Sequence, residues 1–492
     1  MTSRVRALLL SASLFALVTA ACTGGGSSTA LTASGSAGTA SSAPGSSTAT
    51  PQAALTGFDN IQHLIFIVQE NRSFDQYFGT FPGADGIPTN AKGTFSVCVP
   101  DPKLGTCARP YHDSSLIDDG GPHAKPHSDI DVDGGKMDGF IRAAMTGPVG
   151  CAETRAPADC RGRDGLGPQD QPDVMGYHDA REIPNYWAYA EHYNLQDHLY
   201  GATDSWTLPA HLFLVSAWAA HCRDPNDPMS CTSDLKQEDV VSRQHGGAHP
   251  KIYGWTDITQ LLYEHDVSWA YYPGGSLCSA QPCPEDGPTV AQNPLPSFTT
   301  VHDNGQLDNV KTHDDFVNSL RDGTLPTVSW ITPGGGGISE HPGTGEPLSM
   351  GQTYVTKLVN AVMRSDYWST SAIFITWDDW GGFYDHEVPP RVDENGYGLR
   401  VPGILISPWV KQGIDSQTLT FDAYLKLIED LYLGGERLDP ATLQRPDSRP
   451  TVREDVSILG DYRKLFDFKQ DPRPPLILDP HPDPGPASKP GG

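Results

Sequence analysis

Beyond its N-terminal segment, the chain lacks any uninterrupted apolar run of about 20 residues, the length that a membrane-spanning helix requires. The N-terminal segment is also too short to span a bilayer. Two arginines precede an apolar run over residues 8–18, and small residues follow. This pattern predicts a signal peptide over residues 1–21. Residues 19–22, Thr-Ala-Ala-Cys, resemble a lipoprotein cleavage site, so we expect an exported cell-surface or periplasmic protein lipidated on Cys22. The alternative is secretion with that cysteine unmodified.

Basic residues are scarce relative to acidic ones. The chain has 34 lysines and arginines against 60 aspartates and glutamates, which gives a formal net charge of −26. A negative charge of this size argues against nucleic acid as a partner and against a basic patch that binds anionic lipid. We therefore expect membrane contact only through the lipid anchor.

No Cys-x2-Cys spacing occurs among the nine cysteines, which argues against a structural zinc site. Apart from Cys22, the cysteines form close pairs: Cys98/Cys107, Cys151/Cys160, Cys222/Cys231 and Cys278/Cys283. Eight cysteines allow many connectivities, and this clustering favours the four local ones. We predict four local disulfides formed in an oxidising compartment.

The remaining sequence predicts one large folded domain over residues 56–470. Residues 22–55 are almost entirely Gly, Ser, Thr, Ala and Pro and predict a flexible linker, and residues 471–492 form a proline-rich tail. Strand-length apolar runs alternate with helical patterns. This alternation predicts an α/β fold with a mostly parallel central sheet flanked by helices, in which long loops are stapled by disulfides. The expected strands are 64–68, 267–272, 327–331, 372–376 and 401–406, and the expected helices are 208–220, 352–364 and 420–433.

Carboxylate-rich pairs follow two of the expected strands. Glu70 and Asn71 come directly after the first strand, and Asp378 and Asp379 follow the strand at 372–376. Ligands of open α/β sheets bind outside the carboxyl ends of the strands, and oxygen ligands suit a hard cation. The two pairs therefore suggest a shared divalent-metal site. Helix caps or solvated turns are the alternative reading.

Thr207 precedes an expected helix, where the free N–H groups and the helix dipole favour an anion. Its hydroxyl group there is suited to ligate the metal and to attack phosphorus as a nucleophile. The alternative is a plain helix N-cap.

Five motifs in order resemble the bacterial phosphoesterase family, which contains the non-specific phospholipases C and exported acid phosphatases and belongs to the alkaline-phosphatase superfamily. The motifs are Glu70–Asp75, Gly134–Phe140 after His127, Thr207–Pro209, Leu325–Ile331 before His341, and Asp378–His386. The resemblance spans about residues 60–410 and implies an alkaline-phosphatase-like fold.

The resemblance also implies roles for individual residues. Glu70, Asn71, Thr207, Asp378 and Asp379 would surround a divalent metal ion, and Thr207 would be phosphorylated transiently. His341 and His127 would contact the phosphate or protonate the leaving group, and His386 would orient the Asp378-Asp379 turn. The expected substrate is a phosphate ester, either a phospholipid head group or a small phosphomonoester.

The chain departs from the phospholipase branch at two places. That branch has Asp-Glu at Asp378-Asp379, and it has Gly-Pro-Thr-x-Pro-Asn-Arg where this chain has a different sequence around Thr207. Both departures favour the acid-phosphatase side or an uncharacterised subgroup of the family. A sulfatase is disfavoured because threonine cannot be oxidised to the aldehyde that sulfatases need. A non-catalytic surface lipoprotein on the same scaffold is the alternative function. Four tryptophans near the motifs suggest a choline-binding box or, more commonly, core packing: Trp206, Trp330, Trp377 and Trp380.

Overall fold

The computed structural model describes residues 57–146, 171–222, 231–233, 253–274, 291–334, 338–443, 447, 449 and 451–490. The predicted signal peptide, Cys22 and the linker lie outside the described residues. The pairs Cys151/Cys160 and Cys278/Cys283 and most of residues 222–250 also lie outside them.

The described residues form thirteen strands, seven of which make the central sheet. In chain order the strands are β1 His63–Gln69, β2 Val99–Asp101, β3 Thr106–Ala108, β4 Tyr111–His112, β5 Gly176–Tyr177, β6 Asn194–Gln196, β7 Ala220–Cys222, β8 Cys231–Ser233, β9 Trp269–Pro273, β10 Val328–Thr332, β11 Ser371–Trp377, β12 Gly403–Ile406 and β13 Gly413–Asp415. The central sheet has the order β13-β6-β12-β11-β1-β10-β9.

The central sheet is mostly parallel, as the sequence predicts. β1 pairs in parallel with β10 and β11, β10 pairs in parallel with β9, and β13 pairs in parallel with β6. The antiparallel pairings are those of β12 with β11 and with β6. β11 is buried along its whole length, and so is β1 after its first residue. A strand that is covered on both faces has a continuous apolar sequence, and such runs were the basis for predicting β1 and β11.

Ten α-helices occur in the described part of the chain: α1 Phe74–Phe78, α2 Lys125–Val132, α3 Phe140–Thr146, α4 Pro184–His192, α5 Thr207–Ser216, α6 Ile258–Glu264, α7 Thr299–Asp303, α8 His313–Asp322, α9 Leu348–Arg364 and α10 Phe421–Tyr432. The prediction of a helix over 208–220 was wrong at its end. Ala217 adopts a left-handed conformation (φ 49°) that terminates α5, and Ala220 begins β7. The helix predicted at 352 begins one turn earlier, at Leu348.

One predicted disulfide is confirmed, and the backbone supports a second pair. Cys98 and Cys107 are bonded across the β2–β3 hairpin. Cys222 lies directly opposite Cys231 in the antiparallel pair β7–β8. Among the described residues, no helix combines the length and the apolar character needed to cross a membrane.

The proline-rich tail packs along the domain as far as residue 490. Asn185 donates a hydrogen bond to the Asp479 carbonyl oxygen at 2.8 Å, and Leu478 N–H donates to Asn360 Oδ1 at 3.1 Å. Near the end of the chain, Ser488 donates to the Asp179 carboxylate at 2.8 Å. These bonds fix the tail against α4, α9 and the loop before α4.

Candidate active site

The register of two central strands brings the predicted acidic pairs together. Gln69 at the end of β1 lies opposite Trp377 at the end of β11. The next residues along each strand, Glu70 and Asp378, therefore leave the sheet at the same edge. Asp378 N–H donates to the Gln69 carbonyl oxygen at 3.0 Å, which continues the strand pairing into the site.

Asn71 connects the two pairs through its backbone and its side chain. Its N–H donates to Asp378 Oδ1 at 3.2 Å, and its Nδ2 donates to Asp379 Oδ1 at 2.7 Å. Asn71 adopts a left-handed conformation with φ 67°, which asparagine tolerates better than most residues. An asparagine suits this position because it satisfies the backbone conformation and the hydrogen bond together.

The turn after β11 requires glycine at Gly381. This residue has φ +63°, and a Cβ atom there would lie 2.5 Å from the Asn71 carbonyl oxygen. Its N–H donates to Asp379 Oδ1 at 2.8 Å, and its carbonyl oxygen accepts from Gly121 N–H at 2.9 Å. The turn therefore packs directly against Asn71 and holds the Asp379 carboxylate.

The three carboxyl groups of the site are buried and repel one another. Burial raises the pKa of Asp378 well above its ordinary value, and the neighbouring Asp379 and Glu70 raise it further. Burial also raises the pKa of Asp379 to about 7 and raises the pKa of Glu70. Three acidic groups in such a place favour a bound cation or shared protons.

Buried oxygen atoms without partners distinguish this site from ordinary turns. Asn71 Oδ1, Asp378 Oδ2 and Asp379 Oδ2 are inaccessible to solvent and have no hydrogen-bond partner among the described residues. Buried polar atoms in native proteins are nearly always hydrogen-bonded, so these three require another partner. Carboxylate and amide oxygens fit a divalent cation.

Groups of three acidic or histidine side chains whose ligand atoms lie within 4.8 Å of one another occur away from Glu70, Asp378 and Asp379 in the described residues. One of them, Asp75 with Asp385 and His386, already contains the guanidinium group of Arg400 at 3.1 Å from Asp75 and 2.9 Å from Asp385. That cluster is a buried ion-pair network. His386 belongs to this network and contacts Asp75 at 2.8 Å; its expected role in orienting the Asp378-Asp379 turn stays a prediction.

Thr207 is the first residue of α5, and its hydroxyl group interacts with the Asp378 carboxyl group. The N-cap position belongs to Trp206, so the plain N-cap reading of Thr207 was wrong. Thr207 is 6 % exposed, which is more than any of the four residues predicted to hold the metal with it. It is therefore the member of the set most accessible to a substrate, at the positive end of a ten-residue helix.

Two predicted histidines lie in one group with a third that the sequence reasoning missed. The His341 and His123 rings are 5.6 Å apart between centroids. Burial lowers the pKa of His341, whereas Glu70 and Asp379 raise it, so this ring borders the acidic site. His127 follows on α2; burial and then His123 lower its pKa, and its Nδ1 has no partner in the described structure. The His123-x3-His127 spacing was the available signal for His123.

His211 is a second residue that the sequence reasoning missed. It lies one helical turn after Thr207 on α5 and is completely buried. Its Nε2 atom is 3.7 Å from Asp378 Oδ2, and its Nδ1 atom contacts the Tyr271 hydroxyl oxygen at 3.1 Å. The signal was the i, i+4 spacing of Thr207 and His211, which places both side chains on one helix face.

Arg72 anchors the strand end behind the site. Its buried guanidinium group pairs with Asp118 at 3.3 Å and donates to the Glu340 carbonyl oxygen at 2.6 Å. The Glu340 carboxylate in turn accepts from Trp377 Nε1 at 3.1 Å. These contacts fix the residue before His341 to the end of β11.

The four tryptophans belong to the core, which is the more common of the two readings that the sequence allowed. They are at most 5 % exposed. Trp330 stacks with Phe66 and Tyr271, and Trp380 donates to Asp131 at 2.9 Å. Buried rings held by such partners favour core packing over a choline-binding box.

Comparison with known proteins identifies the family of this chain. Residues 61–433 match the model of the Phosphoesterase family. The non-hemolytic phospholipase C of Burkholderia pseudomallei is 26% identical over 481 residues, which cover 85% of this chain and 61% of that protein. Phospholipase C A of Mycobacterium tuberculosis is 25% identical over 456 residues, covering 84% of this chain and 78% of that protein.

Among solved structures, the phosphonate monoester hydrolase of Agrobacterium radiobacter covers 52% of this chain and 69% of its own, with 11% identity and a TM-score of 0.28. The chain spans about three-fifths of the Burkholderia relative (61%), while the family model covers most of this chain. This chain belongs to the Phosphoesterase family.

Proposed function

We propose that this protein hydrolyses phosphoric esters at the site where β1, β11 and the start of α5 meet. A divalent cation would be held there by Glu70, Asn71, Asp378 and Asp379, with the hydroxyl group of Thr207 beside it. The observation that carries the proposal is the position of the Thr207 hydroxyl against Asp378, next to three buried oxygen atoms that lack partners. Membership of the Phosphoesterase family supports the reaction class.

A divalent cation at this centre would neutralise charge on the phosphoryl oxygens and lower the pKa of the nucleophilic hydroxyl group. Thr207 Oγ1 attacks phosphorus and forms a phospho-threonine, while the bond from phosphorus to the leaving oxygen breaks. The threonine proton passes to the adjacent Asp378 carboxylate. The N-terminus of α5 stabilises the negative charge that develops on the phosphoryl group.

His341 is the proposed general acid for the departing alcohol. Its Nδ1 lies 2.6 Å from the Pro342 carbonyl oxygen, so Nδ1 carries a proton and Nε2 is left for the substrate. Burial lowers the pKa of His341 overall, and the neighbouring Glu70 and Asp379 oppose that effect; the protonated ring would donate to the departing alcohol from Nε2. Water then cleaves the phospho-threonine and regenerates the hydroxyl group. His127 and His123 extend the same group toward the position of the phosphate.

Two substrate classes remain within the proposal, and one assay separates them. The names of the relatives favour a phospholipase C, which acts on a phosphodiester, whereas the departures around Thr207 and Asp379 favour a phosphomonoesterase. Hydrolysis of p-nitrophenyl phosphate and of p-nitrophenyl phosphorylcholine is measured side by side. The preferred compound identifies the class.

Thr207→Ala should lower kcat for the preferred compound by at least about 10³-fold, because the covalent step is lost. Thr207→Ser keeps a hydroxyl group and should retain measurable turnover. Thr420→Ala is the matched control. Thr420 is also buried at the start of a helix, α10, with a hydroxyl group that has no hydrogen-bond partner among the described residues. Full turnover in Thr207→Ala, or an equal loss in Thr420→Ala, would contradict the nucleophile assignment.

A further inference from the structure

The protonation of His211 is fixed by its neighbours. The Tyr271 hydroxyl group donates its proton to the Gln292 carbonyl oxygen, so its oxygen accepts from His211 at 3.1 Å. The proton of the neutral imidazole must therefore be on Nδ1. Nε2 is left as a lone pair in a completely buried side chain.

That lone pair faces a second acceptor. His211 Nε2 lies 3.7 Å from Asp378 Oδ2, and neither atom has a hydrogen-bond partner in the described part of the chain. The separation is too long for a hydrogen bond. When Asp378 is ionised, two buried acceptors that face each other are costly unless a proton, a water molecule or a cation lies between them.

The separation fits two ligands of one metal ion. With metal–ligand distances of about 2.1 Å, two ligand atoms of the same ion lie about 3–4 Å apart. Asp378 Oδ2 is one of the three unpartnered oxygens of the proposed centre, so the ion that it binds would also be within reach of His211. We propose that His211 Nε2 is a further ligand of that ion, an inference that rests on the proposed metal centre.

The hydrogen bond from His211 Nδ1 to Tyr271 supports this role. Metal-binding histidines almost always donate from the other ring nitrogen to an oxygen atom, which fixes the ring orientation and the tautomer. Tyr271 lies on β9, at the edge of the same sheet, and is itself held by Gln292. Gln292 also donates to Glu70. This one loop residue therefore contacts both a proposed ligand, Glu70, and the tyrosine that is hydrogen-bonded to His211.

A nitrogen ligand has a consequence for the choice of metal. An all-oxygen site suits Mg²⁺ or Ca²⁺, whereas an imidazole ligand favours Zn²⁺ and other transition-metal ions. Because Thr207 and His211 are one turn apart on α5, the same ion would also fix the nucleophile through the helix. The protein should therefore bind Zn²⁺ more tightly than Ca²⁺.

X-ray absorption spectroscopy of the zinc-loaded protein tests the ligand directly, because coordinated imidazole gives characteristic outer-shell scattering. Wild type and His341→Gln should show this scattering, and His211→Gln should lose it. Equilibrium binding should show Zn²⁺ affinity reduced by at least about 10–100-fold in His211→Gln, the loss typical of a disrupted supporting contact, with Ca²⁺ affinity little changed. Tyr271→Phe should reduce Zn²⁺ affinity less than His211→Gln does.

The outcomes separate this inference from the proposed function. Zinc that binds to wild type without imidazole scattering would overturn the role of His211 and leave the oxygen-ligand centre intact, as expected if a water molecule bridges the two atoms. Scattering that persists in His211→Gln but disappears in His341→Gln would overturn it equally. No binding of any divalent ion would overturn both proposals. If His211→Gln does not fold, the wild-type and His341→Gln spectra still decide, because absence of scattering from either one refutes the inference.

Discussion

Replacing Gly381 by alanine perturbs the site without changing any side chain that is proposed to bind the metal ion or the substrate. Two costs are visible in the structure. The residue has φ +63°, and an L-residue in the left-handed region costs about 1–2 kcal/mol. In addition, the new Cβ would lie 2.5 Å from the Asn71 carbonyl oxygen, and relief of such overpacking costs about 1–3 kcal/mol.

Gly434 provides a matched control for the first cost. It has the same φ of +63°, but no atom lies within 4 Å of the position that its Cβ would take. Gly434→Ala should lower the free energy of unfolding by about 1–2 kcal/mol and leave kcat unchanged. Gly381→Ala should cost more, and it should also lower kcat and metal affinity because Asn71 must move to accommodate the methyl group.

Urea unfolding gives the two free energies, and steady-state hydrolysis with titration of Zn²⁺ gives the functional effects. The informative quantity is the difference in unfolding free energy between Gly381→Ala and Gly434→Ala, because the cost of the left-handed conformation is common to both variants. Equal losses of stability together with unchanged activity in Gly381→Ala would refute the argument that this turn holds Asn71 and Asp379 in place.

Three further predictions concern other parts of the molecule. Burial lowers the pKa of His178, but Asp118 raises it more, to about 9. The stabilisation from the charged His178–Asp118 pair is therefore complete below about pH 6.5 and is lost as the pH rises through 9. Unfolding free energies at pH 6 and pH 9.5 should differ more in wild type than in His178→Gln, and an equal difference would contradict the charged pair. Replacing both cysteines of the bonded pair Cys98–Cys107, nine residues apart, by serine should cost about 2–3 kcal/mol of unfolding free energy, and reductant should destabilise wild type by more than it destabilises this variant. Cys22→Ser should abolish metabolic labelling with palmitate, and an unlabelled wild-type protein would show that the chain has no lipid anchor.

The ends of β1 and β11 could be predicted because several signals agree there. Each strand is a continuous apolar run, as expected of a strand covered on both faces, and each is followed at once by acidic or amide residues. The parallel register of the two strands then brings Glu70, Asn71, Asp378 and Asp379 to one edge. Local sequence was sufficient because the pairs directly follow the strands.

Features that depend on distant partners could not be predicted in this way. His211 acquires its significance from Tyr271 and Asp378, which are remote in sequence, and one helical spacing does not reveal such contacts. The end of α5 was missed because Ala217 takes a left-handed conformation with no glycine to indicate it. The antiparallel direction of β12 likewise depends on its neighbours in the sheet and not on its own sequence.

The central claim is that the phosphoryl group passes through a covalent bond to Thr207. Wild-type protein that is turning over its preferred substrate should be quenched in acid within milliseconds, digested, and mapped by mass spectrometry. We predict a single phosphoryl group on the peptide that contains Thr207, absent from the Thr207→Ala variant and from protein that has not met substrate. Rapid turnover without any phosphorylated peptide, or with the phosphoryl group on another residue, would contradict the account.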